Sequence, residues 1–422
     1  MTSPRQRLDP ERVTPFADAV TLVSSRVRAL PAERVPLGAA AGRVLAETIH
    51  APHALPPFDN SMVDGWALRV ADVREASAAH PAELRVAGTV AAGDAPSIAV
   101  ERGTAVRIMT GAAVPATADG IAMLEWTSWD QEHVRVERSV EPGQFIRRAG
   151  EDLSAGDTVF ERGTRLGSAH VGVLGSLGQA SVPVHRSPTV GVLVTGDELL
   201  TVHDELAPGR IRSSNDFVLL AAVREAGGLA VDLGVARDDR SDLRARLEGG
   251  RACDVLVTSG GVSVGDHDEV QAVLLEMGLK RVFWRIASSP GKPLLFGTLG
   301  RCLVFGLPGN PVSTAVAFEN FVRPTIRRLE GDAHPERARV RARALAPIAG
   351  PGPRRHFARV RLSWTSDGWV AREVGPRGSG NLRSMAHANG LAILPEEIAR
   401  VEANEFVDVV CLGMPDFEAR EA

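Results

Sequence analysis

Between residues 188 and 330 the chain alternates between short apolar runs and longer amphipathic stretches. The pattern predicts strands at 190–195, 229–235, 254–258, 282–287 and 302–306, with helices at 215–226, 241–248, 268–277 and 311–329. Asn215 is placed to cap its helix and Gly227–Gly228 to end it. Pro324 should bend the last helix. Strands that alternate with helices mean βαβ units and a parallel sheet. Val255–Leu256–Val257 is apolar without alternation, as expected of a strand buried on both faces.

Outside this block the periods change. Thr14–Leu30 predicts one helix, with Thr14 as cap and Phe16, Val20, Val23 and Val27 as its apolar stripe. From 51 to about 141, glycine and proline turns separate short runs at Leu84–Val90, Thr104–Met109, Ile121–Trp126 and His133–Glu137, which predicts a small β-rich unit. Ser168–Leu177 fits a helix. After Asp332 the strand pattern returns at Ala338–Leu345, Phe357–Trp364, Gly368–Val374, Leu391–Leu394 and Phe406–Cys411, as in a small closed or sandwiched β domain. The fold class is therefore α/β plus β. The segmentation is 1–50 with 142–187 as a discontinuous linking domain, 51–141 as an insert, 188–330 as the α/β domain and 335–417 as a C-terminal β domain.

Three predicted strands end in polar loops. Ser259–Asp268 (SGGVSVGDHD) places two glycines where the backbone can turn tightly and approach a ligand, then adds Asp266 and Asp268. Leu307–Ser313 (LPGNPVS) places Pro311 at the first position of a helix, with Pro308, Gly309 and Asn310 before it and Ser313 in its first turn, a setting for an anion. Thr195–Leu199 (TGDEL) carries Asp197 and Glu198. Loops of this kind at the carboxyl edge of an open sheet form one crevice.

Composition narrows the classes. The chain has 422 residues and a net charge of −4, which argues against broad binding to nucleic acid or an anionic membrane. No signal-peptide core or bilayer-length apolar run is present, so a cytoplasmic protein is expected. Cys253, Cys302 and Cys411 are far apart, lack zinc spacing and read as buried thiols. Of the 48 positive side chains only Lys280 and Lys292 are lysines. That scarcity draws attention to Lys292 in Ser288–Pro293 (SSPGKP), although survival by drift is the plain alternative.

Seven ordered segments carry a resemblance. They are Pro56–Ala67 (PPFDNSMVDGWA), Arg107–Pro115 (RIMTGAAVP), Arg147–Asp157 (RRAGEDLSAGD), Thr195–Leu199, Ser259–Asp268, Ser289–Pro293 and Leu307–Ser313. From about Thr14 to Leu412 the chain resembles the molybdopterin molybdenumtransferases, the MoeA and gephyrin E-domain family. The resemblance implies an elongated subunit of four domains. One is a molybdopterin-binding domain of the MogA/MoaB type, and a β-barrel-like domain ends the chain. It implies a homodimer whose site is shared between the α/β domain of one subunit and the 51–141 region of the other. The implied reaction inserts molybdate into adenylylated molybdopterin and releases AMP, with magnesium or another divalent cation, and with molybdopterin adenylyltransferase as a candidate partner for substrate delivery.

By position the resemblance gives catalytic roles to Asp268, Asp59, Thr110, Asp152, Glu198 and Asp238, with Asp268, Glu198 and Asp266 as metal ligands. It gives substrate binding to Ser259, Gly260, Gly261, Ser263, Arg285, Ser289, Lys292, Pro308, Gly309, Asn310, Pro311, Ser313 and one arginine of the last domain, Arg355 or Arg359. Local capping of turns is the bland alternative for Asp59, Ser263 and Ser313. This chain departs from the pattern at three places. Arg285 and Ser289 stand where the resemblance implies lysines, and Trp66 stands for a tyrosine. The competence-damage-inducible family has a similar TGDEL strand but a different glycine loop, and it lacks the PPFDNS and SPGKP segments. A non-catalytic binding protein or adaptor of the same fold stays open on the residues alone, because Ser289 removes a cation.

Overall fold

The computed structural model describes residues 13–95, 97–261, 269–375 and 378–417. The chain divides into two compact units. One comprises residues 47–162 and 169–180, and the other comprises 1–46, 163–168 and 181–422.

The larger unit contains the α/β domain. Its strands are β1 (Thr189–Thr195), β2 (Leu229–Ala236), β3 (Val255–Ser259), β4 (Lys280–Arg285), β5 (Pro293–Leu299) and β6 (Cys302–Leu307), in the order β2-β1-β3-β6-β5-β4. β2, β1, β3 and β6 are parallel. β5 and β4 complete the sheet antiparallel, which corrects the expectation of a wholly parallel sheet. The pattern concealed β5 because Pro293 and two glycine turns surround it; β5 lies between the two strands expected at 282–287 and 302–306 and forms hairpins with both. Every residue of β3 and β6 is buried, as the unbroken apolar runs required. Phe283, Phe296 and Phe305 stack across the antiparallel strands, with centroids 5.5 and 4.9 Å apart.

Four helices follow this framework: α1 (Asn215–Ala226), α2 (Arg240–Gly250), α3 (Glu269–Glu276) and α4 (Pro311–Ala317). Gly227 ends α1 in the left-handed conformation at φ 100°. Asn215 does not cap α1; Ser214 occupies that position and Asn215 is the first helical residue, its side chain turned to other work. After α4 the helical path widens into one π-turn at Phe318–Val322 and continues as α5 (Arg323–Leu329). Pro324 sits in the first turn of α5, where a missing N–H is tolerated, so the irregularity precedes the proline. The predicted N-terminal helix is shorter than its apolar stripe, Phe16–Ser24. Thr14 does not cap it. Its N–H donates to the Arg285 carbonyl and its carbonyl accepts from Ala287, fixing the chain beside β4.

The C-terminal domain closes on itself. Strands β7 (Arg339–Ala344), β8 (Arg355–Thr365), β9 (Gly368–Glu373), β10 (Gly390–Leu394) and β11 (Phe406–Cys411) run β8-β9-β7-β11-β10, and β10 pairs back to β8. This is a closed barrel, which removes exposed edges. Ser288–Ser289 adds a parallel pairing to Arg355–His356 at the start of β8, so the barrel wall is tied to the turn after β4.

The smaller unit has a six-stranded sheet in the order Gly120–Met123, Gly65–Leu68, Thr104–Ile108, Ala82–Val90, His133–Val136, Thr127–Trp129. Gly65–Leu68 escaped the sequence pattern because it is only four residues long and buried throughout.

Candidate functional site

Two cavities lie side by side in the larger unit and share Ser313. The first, about 570 Å³, lies at the carboxyl edge of the parallel strands. Its floor is backbone. Gly260 has φ +96°, and a Cβ there would stand 2.2 Å from the Thr195 carbonyl oxygen. Gly261 has φ +61°, with Val270 Cγ2 at 2.4 Å from a Cβ. Only glycine fits these two positions, because each combines a left-handed backbone with an occupied side-chain space.

Ser259 and Asn215 hold this floor in place. Asn215 Nδ2 donates to Ser259 Oγ at 2.9 Å and to the Gly309 carbonyl at 2.8 Å. Ser259 Oγ donates to the Pro308 carbonyl at 3.0 Å. Ser259 is fully buried, and its hydroxyl pins the turn after β3 to the turn after β6. By sequence Asn215 reads only as a cap; its role as a tie between two turns comes from the fold. Pro308, Gly309, Asn310 and Pro311 also line the cavity. The first turn of α4 is less available to an anion than expected, because the Val312 N–H donates to the Ser379 carbonyl at 3.0 Å.

Two carboxylates stand at the cavity edge. Asp238 accepts from Thr195 Oγ1 at 2.6 Å and from the Asp197 N–H at 3.4 Å. Glu198 folds back so that its oxygens would lie 2.7–2.8 Å from a Cβ on Gly196. Both residues are exposed and line the cavity. Ser263, Asp266 and Asp268 lie outside the described residues. Among the described residues no cluster of three or more His, Cys, Asp or Glu side chains is positioned around one point.

The second cavity, about 430 Å³, lies between the turn after β4, the start of α4 and the barrel strand β8. Ser289, Ser313, His356, Arg359 and Glu373 give it its polar character. Arg359 is only 7% exposed and donates from Nη1 to the Gly378 carbonyl at 2.8 Å. Burial lowers its proton affinity from the ordinary guanidinium value, and the Glu373 carboxylate acts in the opposite direction. Of the two arginines left open by the sequence, Arg359 lines the cavity. Arg355 is engaged elsewhere, paired with Glu396 at 3.2 Å and stacked 5.0 Å from the Phe16 ring. Lys292 is exposed and stands between Gly291, which lines one cavity, and Pro293, which lines the other. Arg285 lines neither. Its guanidinium lies 4.6 Å from the Trp284 ring.

In the smaller unit Asp59 is half-buried and held by Arg148 Nη1 at 2.6 Å and the Ala149 N–H at 2.8 Å. The Ala149 N–H, opposed by desolvation and helped by the hydrogen bond and charge of Arg148, keeps its carboxyl below the usual carboxylate range. Thr110 gives both its N–H and its hydroxyl to one oxygen of Asp64, at 2.7 and 2.8 Å. The hydroxyl proton is thereby committed, and Thr110 Oγ1 offers lone pairs rather than a donor. Asp64 and Arg148 were not singled out from the sequence, although both stand inside the quoted segments. Asp152 is exposed, 3.9 Å from Arg147.

Comparison with known proteins converges with this geometry. Residues 14–178 match the MoeA N-terminal region (domain I and II), 191–328 a probable molybdopterin binding domain, and 341–412 the MoeA C-terminal region (domain IV). Molybdopterin molybdenumtransferase 2 of Mycobacterium tuberculosis is 37% identical over 394 residues, covering 92% of this chain and 97% of that protein. The chain belongs to the MoeA family.

The family match extends across species and structures. Molybdopterin molybdenumtransferase of Bacillus subtilis is 35% identical over 403 residues, covering 94% of each chain. The crystal structure of the molybdopterin biosynthesis MoeA protein from Pyrococcus horikoshii superimposes with a TM-score of 0.82 at 30% identity, covering 95% of this chain and all of that one. Within the family frame, the sheet-edge cavity falls in the region matched to the molybdopterin binding domain. The second cavity draws residues from that region and from the one matched to domain IV.

Proposed function

We propose that this chain is a molybdopterin molybdenumtransferase, which inserts molybdate into adenylylated molybdopterin and releases AMP in molybdenum cofactor biosynthesis. The observation that carries the reading is the pair of adjoining cavities joined at Ser313. One is floored by backbone and edged by carboxylates. The other is lined by a buried arginine, hydroxyls and a histidine, a donor set suited to a small tetrahedral dianion. Two substrates that must meet require two such compartments with a common wall.

On this reading the glycine floor accepts the flat pterin and nucleotide portion, and Arg359, Ser289 and Ser313 hold molybdate, with Lys292 at the boundary. Glu198 and Asp238, with Asp266 and Asp268 of the segment outside the described residues, would hold magnesium or another divalent cation. Carboxylate oxygens are the ligands a hard cation takes. That cation would supply charge neutralisation where the phosphoanhydride is cleaved. A homodimer, a cytoplasmic location and delivery of substrate by molybdopterin adenylyltransferase belong to the same proposal. Among the described residues no helix is long and apolar enough to cross a membrane.

The test is AMP release from adenylylated molybdopterin by the purified protein, with and without molybdate, together with cofactor yield in an apo-molybdoenzyme. Molybdate-dependent release is expected. Substrate binding without release would instead favour a binding protein of the same fold. Asp238→Asn keeps an oxygen for the Thr195 hydroxyl and loses the charge. It should raise the magnesium concentration needed for half-maximal rate about tenfold, equivalent to about 1.4 kcal/mol, with an unchanged circular dichroism spectrum.

A further inference from the structure

We infer that Thr195 and Asp197 are positioning residues of the sheet-edge cavity, which fix the Asp238 carboxylate in place for a divalent cation. The inference rests on the reading of Asp238 given above and adds two residues that have no role in it. Thr195 is the last residue of β1 and pairs with Ala236, the last residue of β2. Asp238 follows two positions later, in the turn before α2. The end of one strand therefore reaches the loop that leaves its neighbour, at the edge where open α/β sheets bind ligands.

The side chain of Thr195 divides its work. It is only 4% exposed. Its methyl lies against the glycine floor, where a Cβ on Gly261 would stand 3.2 Å from Thr195 Cγ2 and one on Gly260 3.3 Å from it. Its hydroxyl donates to Asp238 Oδ1 at 2.6 Å. A β-branched side chain is stiff about its first bond, so seating the methyl also aims the hydroxyl. An ionised carboxylate only accepts, so the hydroxyl proton is committed to Asp238. Asp197 grips the same residue by its backbone. Asp197 Oδ1 accepts from the Asp238 N–H at 3.2 Å, and the Asp197 N–H returns a longer contact to Asp238 Oδ2 at 3.4 Å.

The neighbouring acids are spent on structure. Asp239 caps α2, accepting from the Ser241 and Asp242 N–H groups. Asp242 accepts from the Arg237 N–H at 3.1 Å and pairs with Arg246 at 2.9 Å. Of the two acids in Thr195–Leu199, Glu198 lines the cavity and Asp197 is turned to the Asp238 backbone. Asp238 is the acid of its turn that lines the cavity. It is also exposed, so without these two grips its carboxylate would turn freely in water. Hydrogen bonds made behind the ligands of a cation set much of its affinity.

The experiment is titration of the full-length protein with Mn2+ alone, followed by loss of the electron paramagnetic resonance signal of the free ion. Mn2+ takes the same oxygen ligands as magnesium. Asp238→Asn marks the part of the binding that depends on Asp238. Thr195→Val keeps the shape and removes the hydroxyl, and it should raise the dissociation constant about tenfold. Thr195→Ser keeps the donor and should stay within about threefold. Asp197→Ala should raise the constant about threefold, whereas Asp197→Asn, which keeps the acceptor and loses the charge, should leave it within about twofold. In the Asp238→Asn background Thr195→Val should add less than about twofold, because its effect passes through Asp238. Unchanged affinity in Thr195→Val, or full additivity with Asp238→Asn, would overturn the proposal. So would the absence of Asp238-dependent Mn2+ binding in the parent protein. Equal losses in Asp197→Asn and Asp197→Ala would make Asp197 a charge partner of the cation and overturn its positioning role. If Thr195→Val does not keep the parental circular dichroism spectrum, Thr195→Ser and the two Asp197 variants carry the test. Molybdate-dependent AMP release with a Mn2+ affinity indifferent to Thr195 and Asp197 would sink this inference and spare the function. The expected Mn2+ pattern without AMP release would do the reverse.

Discussion

The two cavities that meet at Ser313 are built by opposite means. The sheet-edge cavity is made of backbone, with Gly260, Gly261 and Gly309 presenting main-chain atoms and Asn215 and Ser259 spending their side chains on locking the two turns together. The barrel-side cavity is lined by polar side chains, with Arg359, His356 and Glu373 on a wall of paired strands, Ser289 beside them and Ser313 on α4. A backbone surface is rigid and shape-selective, and it suits a large flat ligand. A side-chain surface carries charge and can be retuned by single substitutions. Ser289, which stands where the resemblance implies a lysine, lines the second cavity, where a substitution changes charge without disturbing the fold. The first should therefore fail through sterics and the second through electrostatics.

The largest effect should come from one methyl group on the backbone floor. Gly260→Ala forces a left-handed residue to place Cβ 2.2 Å from a backbone oxygen of β1, which cannot move without disturbing the buried sheet. The cost should be about 4 kcal/mol or more, in the range reserved for named structural failures. Gly309→Ala is the matched control. Its Cβ would meet only the Gly260 Cα, at the ordinary contact distance of 3.7 Å. It should cost below about 1 kcal/mol. Urea unfolding of both variants beside the parent checks the pair. Equal losses would mean that the floor is not sterically fixed at Gly260.

The same contrast explains what the sequence disclosed. The sheet-edge cavity was legible because its walls at β1, β3 and β6 each begin as a buried strand that runs directly into a glycine-containing turn, so local signals report the three-dimensional site. The barrel-side cavity was legible only through the resemblance, which supplied Ser289, Ser313 and one of two arginines, and not through local pattern. His356 and Arg359 sit within one strand whose neighbours are apolar or basic, and nothing in their spacing distinguishes a cavity wall from a barrel surface. Choosing between Arg355 and Arg359 needed Glu396, which is distant in sequence and reaches Arg355 only after the barrel closes. Asn215 was misread for a related reason: an asparagine at a helix start normally caps, and its true partners, Ser259 and Gly309, are supplied by two other strand ends. β5 was hidden by Pro293, a residue that usually argues against a strand interior and here begins one.

Next in size is removal of the buried cation. Arg359→Ala should raise the molybdate concentration for half-maximal AMP release roughly a hundredfold, about 3 kcal/mol, as for a charge contact in a partly dried cleft. Affinity for adenylylated molybdopterin, measured without molybdate, should stay within about twofold, because that ligand is assigned to the other cavity. If both affinities fall together, the two cavities do not work as separate compartments.

The smallest effect should come from the arginine that the sequence could not separate from Arg359. Arg355 is four residues earlier in the same strand and carries the same charge, yet its guanidinium is already paired with Glu396 across the barrel and lies over Phe16. Both members of that pair are partly open to solvent, with side-chain exposures of 29% and 27%. A pair of this kind contributes about 1 kcal/mol or less. Arg355→Ala should therefore lower stability by about that amount, with some of the loss coming from packing on Phe16 rather than from charge. Molybdate dependence should shift by less than about twofold, since a paired cation outside the cavity adds little field to it. The decisive measurement is a double-mutant cycle in molybdate half-saturation with Arg355→Ala and Arg359→Ala. Additive effects would leave Arg359 as the cavity's own cation. A coupling above about 1 kcal/mol would show that the two guanidinium groups act on one bound oxyanion, and the boundary of the second cavity would have to be redrawn to include Arg355.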